Sequence, residues 1–237
     1  MPSRSSGYRL SSGGSIDRSR PLQFTFDGRR MSGYAGDTLA SALIANGVRI
    51  VGRSLKYHRP RGFMGAGLED PNGLLAVRDG YGRSPAVRAG EVLLAEGLEA
   101  RTVTGWPSAQ FDLGAVAQAA AAVLGAGFYH KTFMWPAWSW YEPLIKRSTG
   151  FGRIRPGPDG RRRLHRHDVA DVLIVGGGPA ALAAARALLV SGLRVVLADD
   201  QPELGGCLAW ENGDVEGLPG AVWVRQLALR LRADETF

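Results

Sequence analysis

The chain has 237 residues, 45% of them hydrophobic and 22% charged, a composition that excludes a wholly disordered or fibrous protein and predicts two compact domains. The single cysteine, Cys207, excludes an intrachain disulfide framework, and the apolar runs are shorter than the ~20 residues of a membrane span, so no membrane partner is expected. The net charge of +7 lies mainly in the N-terminal arm and in residues 161–167, which lack a recognition helix or stacking platform, so nucleic acid is not an expected partner.

Residues 1–20 form an N-terminal arm that is rich in serine and arginine and poor in acids. Transit peptides share this composition, but the arm lacks the apolar segment of a secretion signal. A lone cysteine is also typical of a reducing compartment. We therefore expect a cytoplasmic protein.

Residues 21–105 begin with a hairpin and a helix. The run LQFTFDGRRMSGY predicts two short strands joined at residues 27–28, because an Asp-Gly pair tolerates the positive φ of a tight turn. The next run, DTLASALIANGV, has apolar residues near helical spacing, with Asp37 or Thr38 as the N-cap and an Asn-Gly stop at residues 46–47. A hairpin followed by a helix indicates a β-grasp domain.

Two further β-prone runs, at residues 73–77 and 91–104, are expected to complete a mixed sheet around this helix. The predicted fold class is therefore α+β for the first domain, a ferredoxin-like β-grasp. An α/β domain follows it, as the patterns after residue 166 indicate.

Residues 106–166 are expected to connect the two domains through a helix after Asp112, an aromatic segment and a basic strap rich in proline, glycine and arginine. We expect the aromatic side chains to be buried between the domains or beneath another subunit, with ligand stacking as the alternative. These residues are Phe128, Tyr129, Phe133, Trp135, Trp138, Trp140 and Tyr141.

Residues 167–237 carry the most specific local pattern, DVLIVGGGPAALAAARALLVSGLRVVLADD. It predicts an apolar strand, a glycine turn, an alanine-rich helix and a second apolar strand, which together make one βαβ unit of an incomplete Rossmann-like domain. The turn fits G-x-G-x-x-G/A with Gly176, Gly178 and Ala181. Gly176 permits the tight turn, Gly178 leaves room for a pyrophosphate, and Ala181 allows helix and strand to approach closely.

The expected phosphate position is the helix N-terminus, where Pro179 and Ala180 begin the helix and free N–H groups favour negative charge. Asp199 follows Gly176 by about 20 residues, the spacing of the acid that binds a ribose 2′-hydroxyl, with Asp200 as its neighbour. A carboxylate there repels a 2′-phosphate, which favours NAD or the ADP half of FAD over NADP.

Gly205 and Gly206 are expected to form a second phosphate-approach turn or an ordinary loop. Cys207 follows them without a partner cysteine, so we interpret it as structural or incidental.

Several segments in sequence order resemble the alpha subunit of heterotetrameric sarcosine oxidase. They are DRSRPLQFTFDG, GDTLASALIANGV, GRSLKYHRPRGFMGAG, EDPNGLLAV, GFYHKTFMWP, YEPLIKRSTGFGR and DVLIVGGGPAALAAARAL. The resemblance implies a multi-subunit flavoenzyme that oxidises sarcosine to glycine, with related amino-acid and opine dehydrogenase subunits as close relatives. It also implies NAD in this subunit (alternatively FAD), FAD in a beta subunit, FMN between the two, and an N-terminal piece of a longer chain.

The loop KYHRPRGFMGAG lies where β-grasp ferredoxins carry cluster cysteines, but it contains no thiol, so we expect no iron–sulfur cluster and no metal. No catalytic residue is assigned, because the resemblance places amine oxidation in another subunit. Two other functions remain open: a non-catalytic assembly module, and an FAD-dependent reductase that acts alone.

Overall fold

The computed structural model divides the chain into two compact units, Met1–Arg162 and Arg163–Phe237. The expected domain boundaries at residues 21, 106 and 167 stay predictions. The structure describes residues 8–14, 16–65, 70–80, 82–122, 133–149, 164–201, 203–209 and 211–237.

The first unit contains a mixed sheet and an α-helix packed on it. Its elements in chain order are β1 (Asp17–Phe26), β2 (Arg29–Ala35), α1 (Leu39–Ala45), the short pair β3 (Gly52–Arg53) and β4 (Pro60–Arg61), β5 (Leu74–Asp79), β6 (Gly82–Arg88) and β7 (Leu98–Thr102). The five-stranded sheet has the strand order β2-β1-β7-β5-β6, in which β1 and β7 are parallel and the other neighbours antiparallel. The predicted mixed sheet with a helix is confirmed.

The hairpin turn and the helix cap follow the sequence prediction. Asp27 and Gly28 both have positive φ, 47° and 78°, which is the two-residue turn that matches the twist of a hairpin. Of the two candidate caps, Thr38 is the N-cap of α1, and its Oγ1 accepts a hydrogen bond from the Ser41 N–H at 3.1 Å. The helix then packs Leu39 and other apolar residues onto the sheet.

Asp37, the other candidate, is buried and forms an ion pair with Arg9 at 2.7 Å. Arg9 belongs to the expected N-terminal arm, so this part of the arm is not a solvated basic tail. It lies against the start of α1, where the Asp37 carboxylate also accepts hydrogen bonds from the Ser41 hydroxyl and the Tyr34 N–H.

Some elements differ from the expectation. Strand β6 was not predicted, because Pro85 lowers the strand signal; it is tolerated there since β6 is the last strand of the sheet. The run 91–104 forms strand only at Leu98–Thr102, and the helix after Asp112 is a 3-10 helix, Leu113–Ala122. The aromatic segment contains an α-helix, α2 (Trp138–Ser148), with Pro143 inside it.

The described tryptophans of the aromatic segment are exposed: Trp135 by 82%, Trp140 by 76% and Trp138 by 50%. Their burial between the domains stays a prediction. Phe128 and Tyr129 lie outside the described residues. Covering by another subunit stays a prediction.

The second unit contains β8 (Val172–Val175), α3 (Pro179–Leu188), β9 (Val195–Ala198), a 3-10 turn (Gly206–Ala209), the short pair β10 (Asp214–Val215) and β11 (Leu218–Pro219), and α4 (Gly220–Ala233). Strands β8 and β9 are parallel, as expected of a βαβ unit. The core between α3 and α4 includes Leu182, Leu227 and Leu231. On β8, Leu173 and Val175 are 62% and 80% exposed.

None of the described helices combines the length and apolarity needed to cross a membrane.

Replacing Phe26 with alanine tests the core of the first unit. Phe26 is 2% exposed, and loss of a buried phenyl ring typically costs about 3–5 kcal/mol in the free energy of unfolding. Urea denaturation measures this loss. The matched control is Phe111→Ala, because Phe111 is 66% exposed; equal effects of both variants would contradict the assigned core.

Asp70 predicts an acid-sensitive step. Its buried carboxylate accepts backbone hydrogen bonds from Met64, Gly65, Asn72 and Gly73 at 2.6–3.0 Å. Burial raises the pKa of Asp70, but the four hydrogen-bond donors together lower it by a larger amount. The pKa therefore lies below its ordinary value. The stabilisation is therefore complete above the unfolded pKa of about 3.9 and is lost as the pH falls through the lower folded value.

Asp70→Asn should lower the free energy of unfolding by about 1–3 kcal/mol at pH 7. It should also flatten the loss of stability below pH 4, because the variant has no carboxylate to protonate there. Denaturation curves at pH 7 and pH 3 give both numbers. Glu91→Gln removes an exposed carboxylate of the same unit and serves as the control.

Candidate dinucleotide-binding site

The candidate site lies at the carboxyl end of β8, where the chain turns into α3. The Gly176 N–H donates to the Ala198 carbonyl at 2.7 Å, so the turn begins directly beside the end of β9. Gly176 has φ +99°, a backbone conformation that favours glycine, as the fingerprint requires. The predicted first glycine is therefore at the predicted turn.

Gly178 is the N-cap of α3, and no side chain caps this helix among the described residues. The first N–H groups of a helix have no partner within it, so those of Ala180 and Ala181 are available to an acceptor outside. Pro179, at the first helical position, has no N–H to satisfy. A Cβ built on Gly178 meets nothing within 4 Å, so the space in front of the helix is open.

Asp199 lies at the end of β9, next to the glycine turn. It is half-buried, and its Oδ1 accepts a hydrogen bond from the Gln201 N–H at 2.6 Å. A Cβ on Gly177 would lie 2.5 Å from the Asp199 Oδ2 and 2.6 Å from the Leu204 Cδ2. Gly177 was not singled out in the sequence, although its close contact with the acid makes it part of the site.

The fingerprint treats the position of Gly177 as variable, so it gives no signal for this glycine. The signal that the sequence does contain is the run of three consecutive glycines at residues 176–178. Such a run indicates a second close approach of the backbone besides the one the fingerprint describes.

The second glycine pair packs onto the first turn. The Gly205 N–H donates to the Gly177 carbonyl at 2.8 Å, and a Cβ on Gly206 would lie 3.0 Å from the Gly178 Cα. Both residues have positive φ, 121° and 52°. The structure thus brings together the two glycine turns at residues 176–178 and 205–206. The role of Gly205 and Gly206 toward a phosphate stays a prediction.

Asp200 is exposed and contacts the Gln201 side chain at 3.2 Å, so it stands at the edge of the site.

Burial raises the pKa of the Cys207 thiol, and Glu211 raises it further. Cys207 is therefore a neutral thiol at pH 7, which agrees with the structural interpretation and not with a nucleophile.

This arrangement is suited to a ligand that carries both a phosphate and a pair of neighbouring hydroxyl groups. The N-terminal end of α3 carries the positive end of the helix dipole and free N–H groups, which favour a phosphate. The Asp199 carboxylate, at the end of the adjacent strand, can accept hydrogen bonds from a diol. These are the groups that the ADP portion of a dinucleotide presents.

Comparison with protein families matches both units. Residues 19–105 match the family described as 2Fe-2S iron-sulfur cluster binding domain, and residues 171–214 match the family described as FAD dependent oxidoreductase. The second match covers the glycine turn and Asp199. It names FAD, and not the NAD expected from the resemblance.

The curated relatives confirm the resemblance noted in the sequence. The chain is 47% identical over 233 residues to the sarcosine oxidase subunit alpha of Rhizobium meliloti (strain 1021), covering 96% of this chain and 23% of the relative. It is 33% identical to that of Corynebacterium sp. (strain U-96), covering 94% of this chain and 19% of the relative. The subunit of strain P-1 is 34% identical, with 98% and 20% covered. The chain thus spans less than a quarter of these relatives' length.

Among solved structures, the L-proline dehydrogenase from P. horikoshii has a similar fold. The TM-score is 0.52 at 20% sequence identity, with 93% of this chain and 33% of that chain covered.

The residues of the first unit do not fit the cluster that its family description names. A [2Fe–2S] cluster normally takes four cysteine thiolates, whereas Cys207 is the single cysteine and lies in the second unit. Within the described ranges, no group of three or more His, Cys, Asp or Glu side chains is placed to hold a metal ion.

Gly177→Ala should weaken the second unit even without a ligand. The new Cβ would overlap Asp199 and Leu204, and overpacking of this kind typically costs about 1–3 kcal/mol in the free energy of unfolding. The control is Gly213→Ala, because a Cβ on Gly213 meets nothing within 4 Å. Unfolding monitored through Trp223, which lies in the core of this unit, compares the two variants. Equal stabilities would show that the close approach is not maintained in solution.

Proposed function

We propose that the second unit binds the ADP portion of FAD, and that the chain is the N-terminal part of an alpha subunit in a sarcosine oxidase-type amine oxidoreductase. The observation that carries this proposal is the open space before Gly178 at the free N-terminus of α3, with Asp199 beside the neighbouring Gly177. The match to FAD-dependent oxidoreductases over the same residues supports it.

Each group of the turn has a distinct role toward the cofactor. The pyrophosphate would lie before Gly178 and accept hydrogen bonds from the N–H groups of Ala180 and Ala181. Asp199 would accept from the ribose hydroxyls, and its negative charge disfavours a 2′-phosphate. The Gly205 N–H, which donates to the Gly177 carbonyl, holds the turn in place.

FAD and NAD share the ADP portion, so the same groups serve both cofactors. The family match favours FAD, and the resemblance noted in the sequence favours NAD. When bound, a flavin accepts two electrons from a substrate, whereas this chain's own residues bind and orient the nucleotide.

The wider assignment rests on similarity to the alpha subunits. We propose that beta and other subunits assemble with the full-length product, that flavins in or between those subunits carry out the amine oxidation, and that sarcosine is the substrate. Related amino acids and opines are the alternative substrates. The cytoplasmic location also stays a prediction.

A second candidate function is a non-catalytic assembly module. The specific observation in its favour is the exposed aromatic surface formed by Trp135, Trp138 and Trp140, since exposed apolar patches of this kind mark association sites. In that case the complex would assemble normally while this unit holds no nucleotide.

The variant Gly178→Val tests dinucleotide binding without disturbing the fold. A side chain at Gly178 meets open space, so the fold should survive, but it would occupy the place of the pyrophosphate. We expect the full-length subunit, co-expressed with its partner subunits, to assemble and to lose the dinucleotide held by this unit. Nucleotides released by denaturation are identified by chromatography, and Gly213→Val is the control.

The outcomes distinguish the candidates. A loss of FAD in the variant, with assembly intact, supports the proposal. A loss of NAD instead would show that the same site binds NAD and not FAD. Unchanged nucleotide content at intact assembly would overturn the site and favour the assembly module. Flavin reduction by sarcosine, compared with proline and opines under anaerobic conditions, tests the substrate separately.

A further inference from the structure

The loop that follows α1 in the first unit has a defined shape without any thiol. Strands β3 and β4 pair Arg53 with Pro60, and the Ser54 N–H donates to the Arg59 carbonyl at 2.9 Å. Within the turn, the His58 N–H donates to the Ser54 carbonyl at 3.0 Å, and His58 has φ +51°. A non-glycine residue at positive φ costs free energy, so other contacts must hold it.

Asp112 provides the first of these contacts. Its side chain is 1% exposed, and its Oδ2 lies 2.7 Å from the His58 Nδ1. Its Oδ1 accepts hydrogen bonds from the N–H groups of Trp106 and Gly114, both at 3.0 Å. Burial raises the pKa of Asp112, but these donors and His58 lower it more, so the group is a carboxylate at neutral pH.

An ionised Asp112 determines the state of His58. A carboxylate only accepts hydrogen bonds, so the His58 Nδ1 must carry the proton that it donates. The imidazole also lies directly against Gly114, where a Cβ would overlap its ring. His58 is thus fixed by one hydrogen bond and by one close contact with the backbone.

Arg53 links the same two segments. Its Nε donates to the Ala109 carbonyl at 2.6 Å, and its terminal nitrogens donate to the carbonyls of His58 and Gln110, both at 3.1 Å. The Nε also lies 3.9 Å from the Asp112 carboxylate, and the side chain is only 9% exposed. One guanidinium therefore contacts the loop, the segment at residues 109–110 and the buried acid.

We propose that the Arg53–His58–Asp112 network fixes the loop at residues 52–61 and takes the place of the metal crosslink that 2Fe-2S domains use. The network bonds the loop to residues 104–114, with the Thr104 hydroxyl adding a bond from the Arg53 N–H at 2.8 Å. Each side chain of the network is charged or forms a hydrogen bond with a charged group. Hydrogen bonds with a charged partner are about twice as strong as those between neutral groups. The loop then needs neither iron nor cysteine to keep its shape. This inference does not depend on the proposed function.

Asp112→Asn tests the network in the 237-residue chain. The asparagine oxygen can still accept from Trp106 and Gly114, but its amide group faces His58 and can only donate. The proton of His58 should therefore move from Nδ1 to Nε2, which changes the ¹⁵N chemical shifts of the imidazole. Hydrogen exchange of residues 52–61 should rise by about tenfold or more, while that of β1 stays unchanged.

Gly114→Ala is the second variant, needed if Asp112→Asn fails to fold. It keeps every charge but displaces the His58 ring, so the same loop should exchange faster. Gly80→Ala is its control, because a Cβ on Gly80 meets nothing within 4 Å, and Glu91→Gln is the control for the lost carboxylate.

Treatment of the wild-type chain with a metal chelator completes the experiment. Unchanged exchange of the loop, with no iron found by elemental analysis, supports the proposal. Bound iron together with a loop loosened by the chelator would overturn it. The proposal would also be overturned if residues 52–61 exchanged hydrogen as slowly as in the wild type in whichever of the two variants folds.

Discussion

A buried carboxylate must be hydrogen-bonded on both oxygens, and this requirement shapes the loops of the first unit. The buried charged residues among those described are Asp37, Asp70 and Asp112. Each binds a segment distant in sequence or closes a turn: Asp37 binds Arg9, Asp70 accepts from four backbone N–H groups, and Asp112 binds His58. Because an unsatisfied buried charge costs several kcal/mol, these loops have few alternatives to their observed shape.

In the second unit, two turns approach each other closely because their glycines have no side chains. The turn at residues 176–178 and the pair at residues 205–206 approach so closely that backbone contacts backbone and the Asp199 carboxylate. The surface proposed to face a nucleotide therefore consists mainly of N–H groups and open space. Such a site would recognise phosphate through its geometry and the helix dipole, while Asp199 would select the ribose through its hydroxyls.

The sequence predicted features that depend on local chemistry. The Asp-Gly turn at residues 27–28, a cap at Asp37 or Thr38 and the fingerprint at residues 176–181 each require particular residue types at short spacing. It did not predict β6 or α2, because Pro85 and Pro143 argue against the elements that contain them. Nor did it predict the contact of His58 with Asp112, since residues 54 positions apart meet only through the fold.

The match to 2Fe-2S domains and the lack of thiols are compatible once fold and chemistry are separated. The match extends over residues 19–105, which include the sheet and its helix, and the apolar core there contains Phe24, Leu43 and Leu98. Those side chains pack in the same way whether or not a loop holds metal, so a similar core is expected in both kinds of domain. The loop can then change its crosslink from thiolates to a buried acid, provided that every polar group it buries has a partner. In this chain Asp112 meets that condition through His58 and the N–H groups of Trp106 and Gly114.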